Sequence, residues 1–361
     1  MKSDSTKSHR TGTCVVTGGA GFVGCAISPG LRQRFERVIA VDVLHPQIHP
    51  ERRRPDTLDA NVELVIGDIA DPAVWRALLQ DVAPDIIIHL AAETGTGQSL
   101  TESTRHAYAN VTGTATMLDA LAHAGRIPNQ FLFTGSRAVY GEGHWRPVKG
   151  GPATYPGQRT REQLAARIWD FPGLEVTPTA AATTEPHPVS VYGATKLAQE
   201  HILSAWASAF GVKVKTLRLQ NVYGPGQALA NSYTGIVTLF CQIARRGEAI
   251  PLYEDGQMLR DFILIDDVSD AILAALDHPG ATGRTLDIGA GAATPMCELA
   301  SIIARHYGAP PPFVCGKYRF GDVRHAVCDV TATAEVLNWS ARHDLATGIQ
   351  KLADWIETQL L

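Results

Sequence analysis

Several protein classes leave no mark in this sequence. No run approaches the ~20 uninterrupted apolar residues of a membrane-spanning helix, and the polar opening, residues 1–10, is not followed by the apolar core of a secretion signal. It reads as a flexible N-terminal tail, and neither a membrane nor an exported location is expected. Six cysteines are scattered at 14, 25, 241, 297, 315 and 328 with no C-x-x-C pair, so they outline no disulfide framework and no zinc or redox motif. They read as small buried residues of a protein in the reducing cytoplasm. Charge of one sign is also missing. Thirty-two Lys and Arg stand against 36 Asp and Glu, a net charge of −4, which offers no general attraction to nucleic acid or to an anionic membrane. The 13 histidines form no H-E-x-x-H and no His/Cys cluster at ligand spacing, so no metal is expected. G-x-S-x-G and G-x-x-x-x-G-K-[ST] are absent, which removes the usual support for a hydrolase elbow or a P-loop. There is no internal repeat or low-complexity tract.

What remains is a chain of 361 residues, 45% hydrophobic and 19% charged, able to fold around one large core or two coupled ones. From Thr11 short apolar runs alternate with amphipathic stretches, as a series of βα units should. Strands are predicted at Thr13 to Thr17, Val38 to Asp42, Val62 to Ile66, Asp85 to Leu90, Gln130 to Thr134 and Val212 to Leu219. The clearest helices are Ser99 to Ala124 and Ala194 to Phe210, and Pro29 is expected to kink the first one. The fold class is α/β, a Rossmann-type doubly wound parallel sheet with a smaller C-terminal α/β substrate region. Residues 11–230 form the dinucleotide-binding domain and 231–361 the second region, with 261–290 expected to pack back on the first. A Pro- and Gly-rich segment, 142–188, breaks the rhythm and reads as an ordered insertion, a lid or a subunit contact, with a short helix over Arg161 to Trp169.

The first strand runs into Thr17-Gly18-Gly19-Ala20-Gly21-Phe22-Val23-Gly24. Glycines suit this turn because backbone must pass close to a pyrophosphate and then enter a helix packed on the strand. Asp42 ends the second strand about 20 residues on, where a carboxylate accepts from the ribose hydroxyls and repels a 2′-phosphate, which favours NAD over NADP. Its alternative role is to cap a turn. Asp68 follows strand three and Leu90-Ala91-Ala92 follow strand four, both at carboxyl ends of the sheet, where such folds bind ligands.

Tyr192-Gly193-Ala194-Thr195-Lys196 places a phenol and an ammonium one helical turn apart. An ammonium favours phenolate and brings a tyrosine towards neutral titration; the plain alternative is a helix-surface pair. Ser136, at the end of strand five, supplies a hydroxyl able to bridge that phenol and a substrate hydroxyl.

Together with His89 to Ala92, Asn110, Val139-Tyr140-Gly141, Asn221-Val222-Tyr223-Gly224-Pro225 and Arg260-Asp261-Phe262, these residues resemble the extended short-chain dehydrogenase/reductase group, the NAD-dependent epimerases and dehydratases of nucleotide sugars. The resemblance implies that Tyr192 is the acid and base, Lys196 its tuner on the nicotinamide ribose, Ser136 the binder of the reacting hydroxyl, and Asn110 the residue that orders the site. It implies NAD contacts from Gly18, Gly21, Phe22, Val23, Asp42, Asp68, Ile69, Leu90, Ala91, Ala92, Asn110, Tyr192 and Lys196. Substrate contacts fall to Thr94, Ser136, Arg137, Asn221, Gln227, Arg260, Asp322 and Arg324, with Arg260 and Arg324 as clamps on the diphosphate. Gln227 to Asn231, Tyr233 to Gly235 and Tyr318 to His325 look most like the dTDP-L-rhamnose 4-epimerase branch of surface-polysaccharide pathways. Family dehydratases carry Asp-Glu after the active-site hydroxyl, whereas this chain has Arg137 and Ala138, which disfavours dehydration. Two departures limit the transfer: the insertion puts Ser136 and Tyr192 about twice the usual interval apart, and Gln220 replaces the commoner aromatic before Asn221.

The expected activity is therefore a 4-epimerase acting on a dTDP- or UDP-linked sugar, most like dTDP-L-rhamnose to dTDP-6-deoxy-L-talose through a 4-keto sugar. The helical segments Ser99 to Ala124 and Ala194 to Phe210 imply a homodimer by the same resemblance. A 4-ketosugar reductase, a UDP-hexose 4-epimerase and a non-catalytic NAD-binding regulator are the rival readings.

Overall fold

The inner sheet-forming runs are buried on both faces, the condition for a parallel sheet clad by helices on each side, whereas the edge run Glu63–Ile66 is half-buried to exposed. The computed structural model describes residues 11–229 and 235–359. The expected tail over 1–10, and Asn231, Tyr233 and Thr234, lie outside the described residues. The first part runs β1 (Thr13–Thr17), α1 (Phe22–Arg34), β2 (Arg37–Asp42), β3 (Glu63–Ile66), α2 (Pro72–Asp81), β4 (Ile86–His89), α3 (Ser103–Ala107), α4 (Gly113–Ala124) and β5 (Gln130–Ser136). Next come β6 (Trp145–Pro147), α5 (Arg161–Ala165), β7 (Leu174–Val176), α6 (Val191–Phe210), β8 (Lys213–Leu219), β9 (Asn221–Tyr223) and α7 (Ile236–Arg245). The remainder comprises β10 (Pro251–Leu252), β11 (Leu259–Arg260), β12 (Phe262–Leu264), α8 (Ile265–Asp277), β13 (Thr285–Ile288), β14 (Thr294–Pro295), α9 (Met296–Tyr307), β15 (Phe313–Val314), β16 (His325–Ala326), α10 (Thr331–Leu337) and α11 (Leu345–Gln359).

The main sheet has seven strands in the order β13-β8-β5-β4-β1-β2-β3, all paired in parallel. The strand order reverses between β1 and β4, so a crevice opens at their carboxyl ends. One core fills the space between the sheet and α1 and α8, with Ile27, Leu31, Val268 and Ile272 buried in it. A second lies under α2, α4 and α6, around Trp75, Met117 and Leu203. A third, built from α7, α9 and α11, belongs to the C-terminal part of the chain. The seventh strand, β13, comes from beyond α8 and joins β8 at the sheet edge.

Two helices depart from expectation. Helix α1 continues through Pro29 to Arg34, because Ser28 Oγ donates to the Cys25 carbonyl, 2.7 Å, the acceptor that a proline at 29 cannot serve. The helix predicted over Ser99 to Ala124 is divided into a 3₁₀ turn at Gln98–Leu100, α3, a π-helical turn at Tyr108–Thr112, and α4. The widened turn carries Asn110, and π turns recur at functional sites.

The 142–188 insertion is ordered by β6 pairing antiparallel with β7 and by Trp145, buried 4.9 Å from the Phe171 ring and 5.3 Å from His325. The expected helix over Arg161 to Trp169 is present as α5, ending at Ala165. Thr179 bridges to Cys328, tying the insertion to the C-terminal part.

Candidate active site

The glycine turn sits at the sheet crevice. Gly18 has φ +67°, and a Cβ there would lie 2.8 Å from the Ala91 backbone; at Gly24 a Cβ would lie 2.4 Å from the Gly19 carbonyl. Helix α1 starts at Gly21 with no side-chain cap and no acidic residue in its first turn, leaving its first N–H groups, those of Phe22 and Val23 among them, for an anion. Asp42 accepts from Ala20 N at 3.0 Å and from Leu44 N at 2.9 Å. Capping a turn does not exhaust a carboxylate with about four acceptor positions, so both roles foreseen for it are compatible. Asp68 accepts from Ala70 N, 2.8 Å, and Ile69 is buried, its carbonyl taken by Trp75 Nε1. Leu90, Ala91 and Ala92 are half-buried beside the turn, the first two held by Thr17. A cradle closed to side chains, an open helix N-terminus and an acidic strand end suit a dinucleotide.

His89 is buried against Thr17 Oγ1 (2.6 Å) and Thr114 Oγ1 (2.9 Å). Burial drives its titration down to about 3, so it is a neutral part of the core.

Tyr192 lies in the first turn of α6, whose N-cap Ser190 accepts from Gly193 N at 3.0 Å. Burial raises its titration above that of a free phenol, while a hydrogen bond with Ser136 and the positive charge of Arg137 oppose that rise. Ser136 ends β5 and accepts from Ala138 N, 3.2 Å. Lys196 sits one turn on, its ammonium 4.3 Å above the Phe133 ring. Burial lowers it to about 7, against the pull of Glu200, so it is only partly charged at neutral pH in the protein alone. Asn110 fastens the helix to the loop after β4: its Nδ2 donates to Thr195 Oγ1 (2.9 Å) and Glu93 O (3.1 Å), and its Oδ1 accepts from Glu93 N (2.7 Å). Thr94 is exposed on that loop, and its carbonyl lies 3.3 Å from His106 Nε2. The His106 ring stands edge-on to Tyr192, centroids 6.5 Å apart.

Arg137 is half-buried. Its Nε donates to Asn221 Oδ1 at 2.9 Å, and Asn221 is fixed through its backbone N to Asp261 O, 3.0 Å. Burial and the neighbouring Arg260 bring Arg137 down to about 9. Gln227 is buried and accepts from Thr238 Oγ1, 2.9 Å. Asp261 accepts from Ala290 N and Gly291 N, which anchors the Arg260-Asp261-Phe262 segment.

The two expected diphosphate clamps differ in availability. Arg260 spends Nη1 on the Leu259 and Arg324 carbonyls and Nη2 on the Val323 carbonyl, which leaves part of its fork. Arg324 is engaged throughout: Asp170, Glu254 and Asp255 take all three of its nitrogens at 2.7–3.3 Å. Its guanidinium is 2% exposed, and its charge is matched by carboxylates inside the protein. Asp322 is half-buried, and its carbonyl accepts from Arg159, 3.0 Å.

Sequence reasoning missed two buried charge groups. One is Arg159, fully buried in the insertion and paired with Glu254 (2.8 and 2.9 Å) and Glu142 (3.4 Å); no spacing signal marked it. The other is Glu200, paired with Arg218 at 2.7 Å under Lys196. Its position one turn beyond Lys196 on the same helix was a usable signal.

A family model described as the NAD dependent epimerase/dehydratase family matches residues 14–166 and 171–289. A dTDP-L-rhamnose 4-epimerase of Burkholderia thailandensis is 55% identical over 346 residues, covering 96% of this chain and 95% of its own. Among solved structures, the UDP-glucose 4-epimerase of Thermotoga maritima with UDP-glucose superposes with a TM-score of 0.79 at 27% identity, over 97% of this chain and 100% of that one. The UDP-glucose 4-epimerase of Thermus thermophilus in complex with NAD gives 0.75 at 25% identity, over 96% and 99%.

Proposed function

The chain belongs to the NAD-dependent epimerase/dehydratase family of enzymes, and from that premise we propose that it inverts C4 of a nucleotide-linked 6-deoxyhexose, interconverting dTDP-L-rhamnose and dTDP-6-deoxy-L-talose. The observation that carries this reading is Tyr192 in the first turn of α6, with Lys196 one turn on, in a chain 55% identical to a dTDP-L-rhamnose 4-epimerase.

Gly18, Gly21, Phe22, Val23 and Asp42 would hold the pyrophosphate and adenosine ribose of NAD, with Asp68 and Ile69 beside the adenine and Leu90 to Ala92, Tyr192 and Lys196 around the nicotinamide ribose. When bound, NAD supplies a reversible hydride acceptor for C4, so the sugar passes through a 4-keto form with no net redox change. Tyr192 as phenolate takes the C4 hydroxyl proton directly or through Ser136, and returns it as acid from the other face. Ser136 orients the reacting oxygen, and Asn110 holds the Tyr192 helix in place. Asn221 and Arg260 grip the diphosphate, which lets the keto sugar turn about that anchor between the two proton transfers. Arg324 acts at one remove, keeping the insertion against the carboxylates behind the site. Thr94, Gln227 and Asp322 line the sugar end.

In this reading residues 11–230 carry NAD, 231–361 carry the sugar nucleotide, and 142–188 closes over it. The enzyme works in the cytoplasm for surface-polysaccharide synthesis as a homodimer, and Phe210, exposed beside Trp206 on α6, supports that contact. Among the described residues no helix is long and apolar enough to cross a membrane.

The test is to incubate the purified protein with dTDP-L-rhamnose, with and without added NAD, and resolve the products by NMR while following NADH absorbance. The C4 epimer without net NADH is expected. Accumulating NADH, or no product from either dTDP-L-rhamnose or UDP-hexoses, would overturn the reading.

A further inference from the structure

The segment before β16, Asp322 to Arg324, joins the insertion to the arginine assigned to the diphosphate. On one side its carbonyls hold Arg260: Nη2 donates to Val323 O at 2.8 Å and Nη1 to Arg324 O at 3.1 Å. On the other side the insertion takes the same stretch of chain. Arg159 Nη2 donates to Asp322 O at 3.0 Å, and Glu142 Oε2 accepts from Arg324 N at 2.8 Å. All four bonds end on backbone atoms of 322–324, so the insertion fixes the path of the chain there rather than the conformation of one side chain.

The grip is buried. Arg159 and Glu142 face each other at 3.4 Å out of reach of water, and Glu254 holds Arg159 from the turn after β10. Glu254 has φ +52°, a left-handed conformation that a side chain of this size keeps only where its surroundings over-determine it. Its carboxylate also meets Arg324 at 3.0 Å, so one strained residue ties the insertion and the 322–324 segment together. A guanidinium aimed by carbonyls meets an anion pre-organised, and its aim is only as good as the groups that hold those carbonyls.

Resting on the diphosphate grip of Arg260 in the 4-epimerase reading, we propose that Glu142 and Arg159 are positioning residues. Through the 322–324 backbone the insertion sets the aim of Arg260, and with it the affinity for the nucleoside diphosphate part of the substrate.

Binding of dTDP to the full chain loaded with NAD is measured by calorimetric titration, with UDP alongside so that the choice of base does not decide the result. Glu142→Leu removes the acceptor for Arg324 N and should weaken binding about tenfold, the size of one charge-assisted hydrogen bond, with the loss appearing in KM rather than kcat. Glu142→Gln keeps a carbonyl acceptor in the same place and should restore the affinity. In an Arg260→Gln background Glu142→Leu should cost nothing further, because its effect passes through Arg260. If Glu142→Leu does not fold, Arg159→Met in the same two backgrounds takes its place. An unchanged affinity in the folded variant, or an equal loss with and without Arg260, overturns the coupling. The titration needs no turnover, so coupling without C4 epimer rejects the 4-epimerase reading alone, and C4 epimer without coupling rejects the positioning role alone.

Discussion

Replacing Arg159 by Met exposes how the insertion is held. Arg159 is fully buried, pairing with Glu254 through two nitrogens at 2.8 and 2.9 Å and facing Glu142 at 3.4 Å. Removing one partner of a buried ion pair costs about 3–5 kcal/mol, because the remaining charge stays desolvated. Glu254 would keep Arg324 at 3.0 Å, so the low end, about 3 kcal/mol, is expected. The orphan is Glu142, left with the Arg324 backbone N at 2.8 Å. Burial already raises Glu142 to about 7, and Arg159 is the strongest influence pulling it back down. Without Arg159 it takes up a proton at mildly acidic pH and escapes much of the cost, whereas at alkaline pH it must ionise unpaired or hold its proton against the solvent. Urea unfolding should therefore show a loss of about 3 kcal/mol at pH ~9 and a smaller one at pH ~6, with faster protease cleavage between 142 and 188. A loss below about 1 kcal/mol at both pH values would refute the claim that this pair pins the insertion.

Tyr192→Phe should lower kcat by about 10²–10⁴-fold while NAD still binds, checked by turnover and by calorimetric titration; unchanged turnover would remove Tyr192 from the chemistry. Gly18→Ala should abolish NAD retention, since its Cβ would lie 2.8 Å from the Ala91 backbone at a φ of +67°; cofactor released on denaturing the purified variant measures it. Glu142→Gln should flatten the stability profile between pH ~4.5 and ~7. The folded carboxyl titrates at about 7 rather than 4.5, so in that window the folded chain keeps a proton that the unfolded chain releases. The contribution of Glu142 is then complete at low pH and lost as pH rises through the window. Melting temperatures across the range report it, and a profile parallel to the unsubstituted chain would contradict the shift.

Local pattern carried much of the sheet. β1 has the predicted bounds and β2 to β5 and β8 lie within a residue or two of theirs, because buried apolar runs of that length have few other uses. The smooth helix expected from Ser99 did not survive, since apolar periodicity does not register the tertiary bonds of Asn110 to Glu93 and Thr195 that accompany the π turn. Nor does periodicity reveal β13: four residues, Thr285–Ile288, become a strand only because β8 offers an edge after α8 has crossed the sheet.

The chemistry shows the same division. Glycine spacing, Asp42 and the Tyr192–Lys196 turn are local, and each has one stereochemical consequence that a sequence displays. Arg324 belongs to a motif just as legible, yet its use depends on Asp170 from the insertion and on Glu254 and Asp255 from the turn after β10, which meet it only in the fold. A guanidinium already enclosed by three carboxylates has little left for a phosphate, whereas Arg260, bonded only to carbonyl oxygens, keeps its net charge for an anion. Neutralisation, rather than proximity to the motif, therefore separates the two arginines: Arg260→Gln should weaken sugar-nucleotide binding far more than Arg324→Gln, whose first effect is the loss of the insertion's anchor.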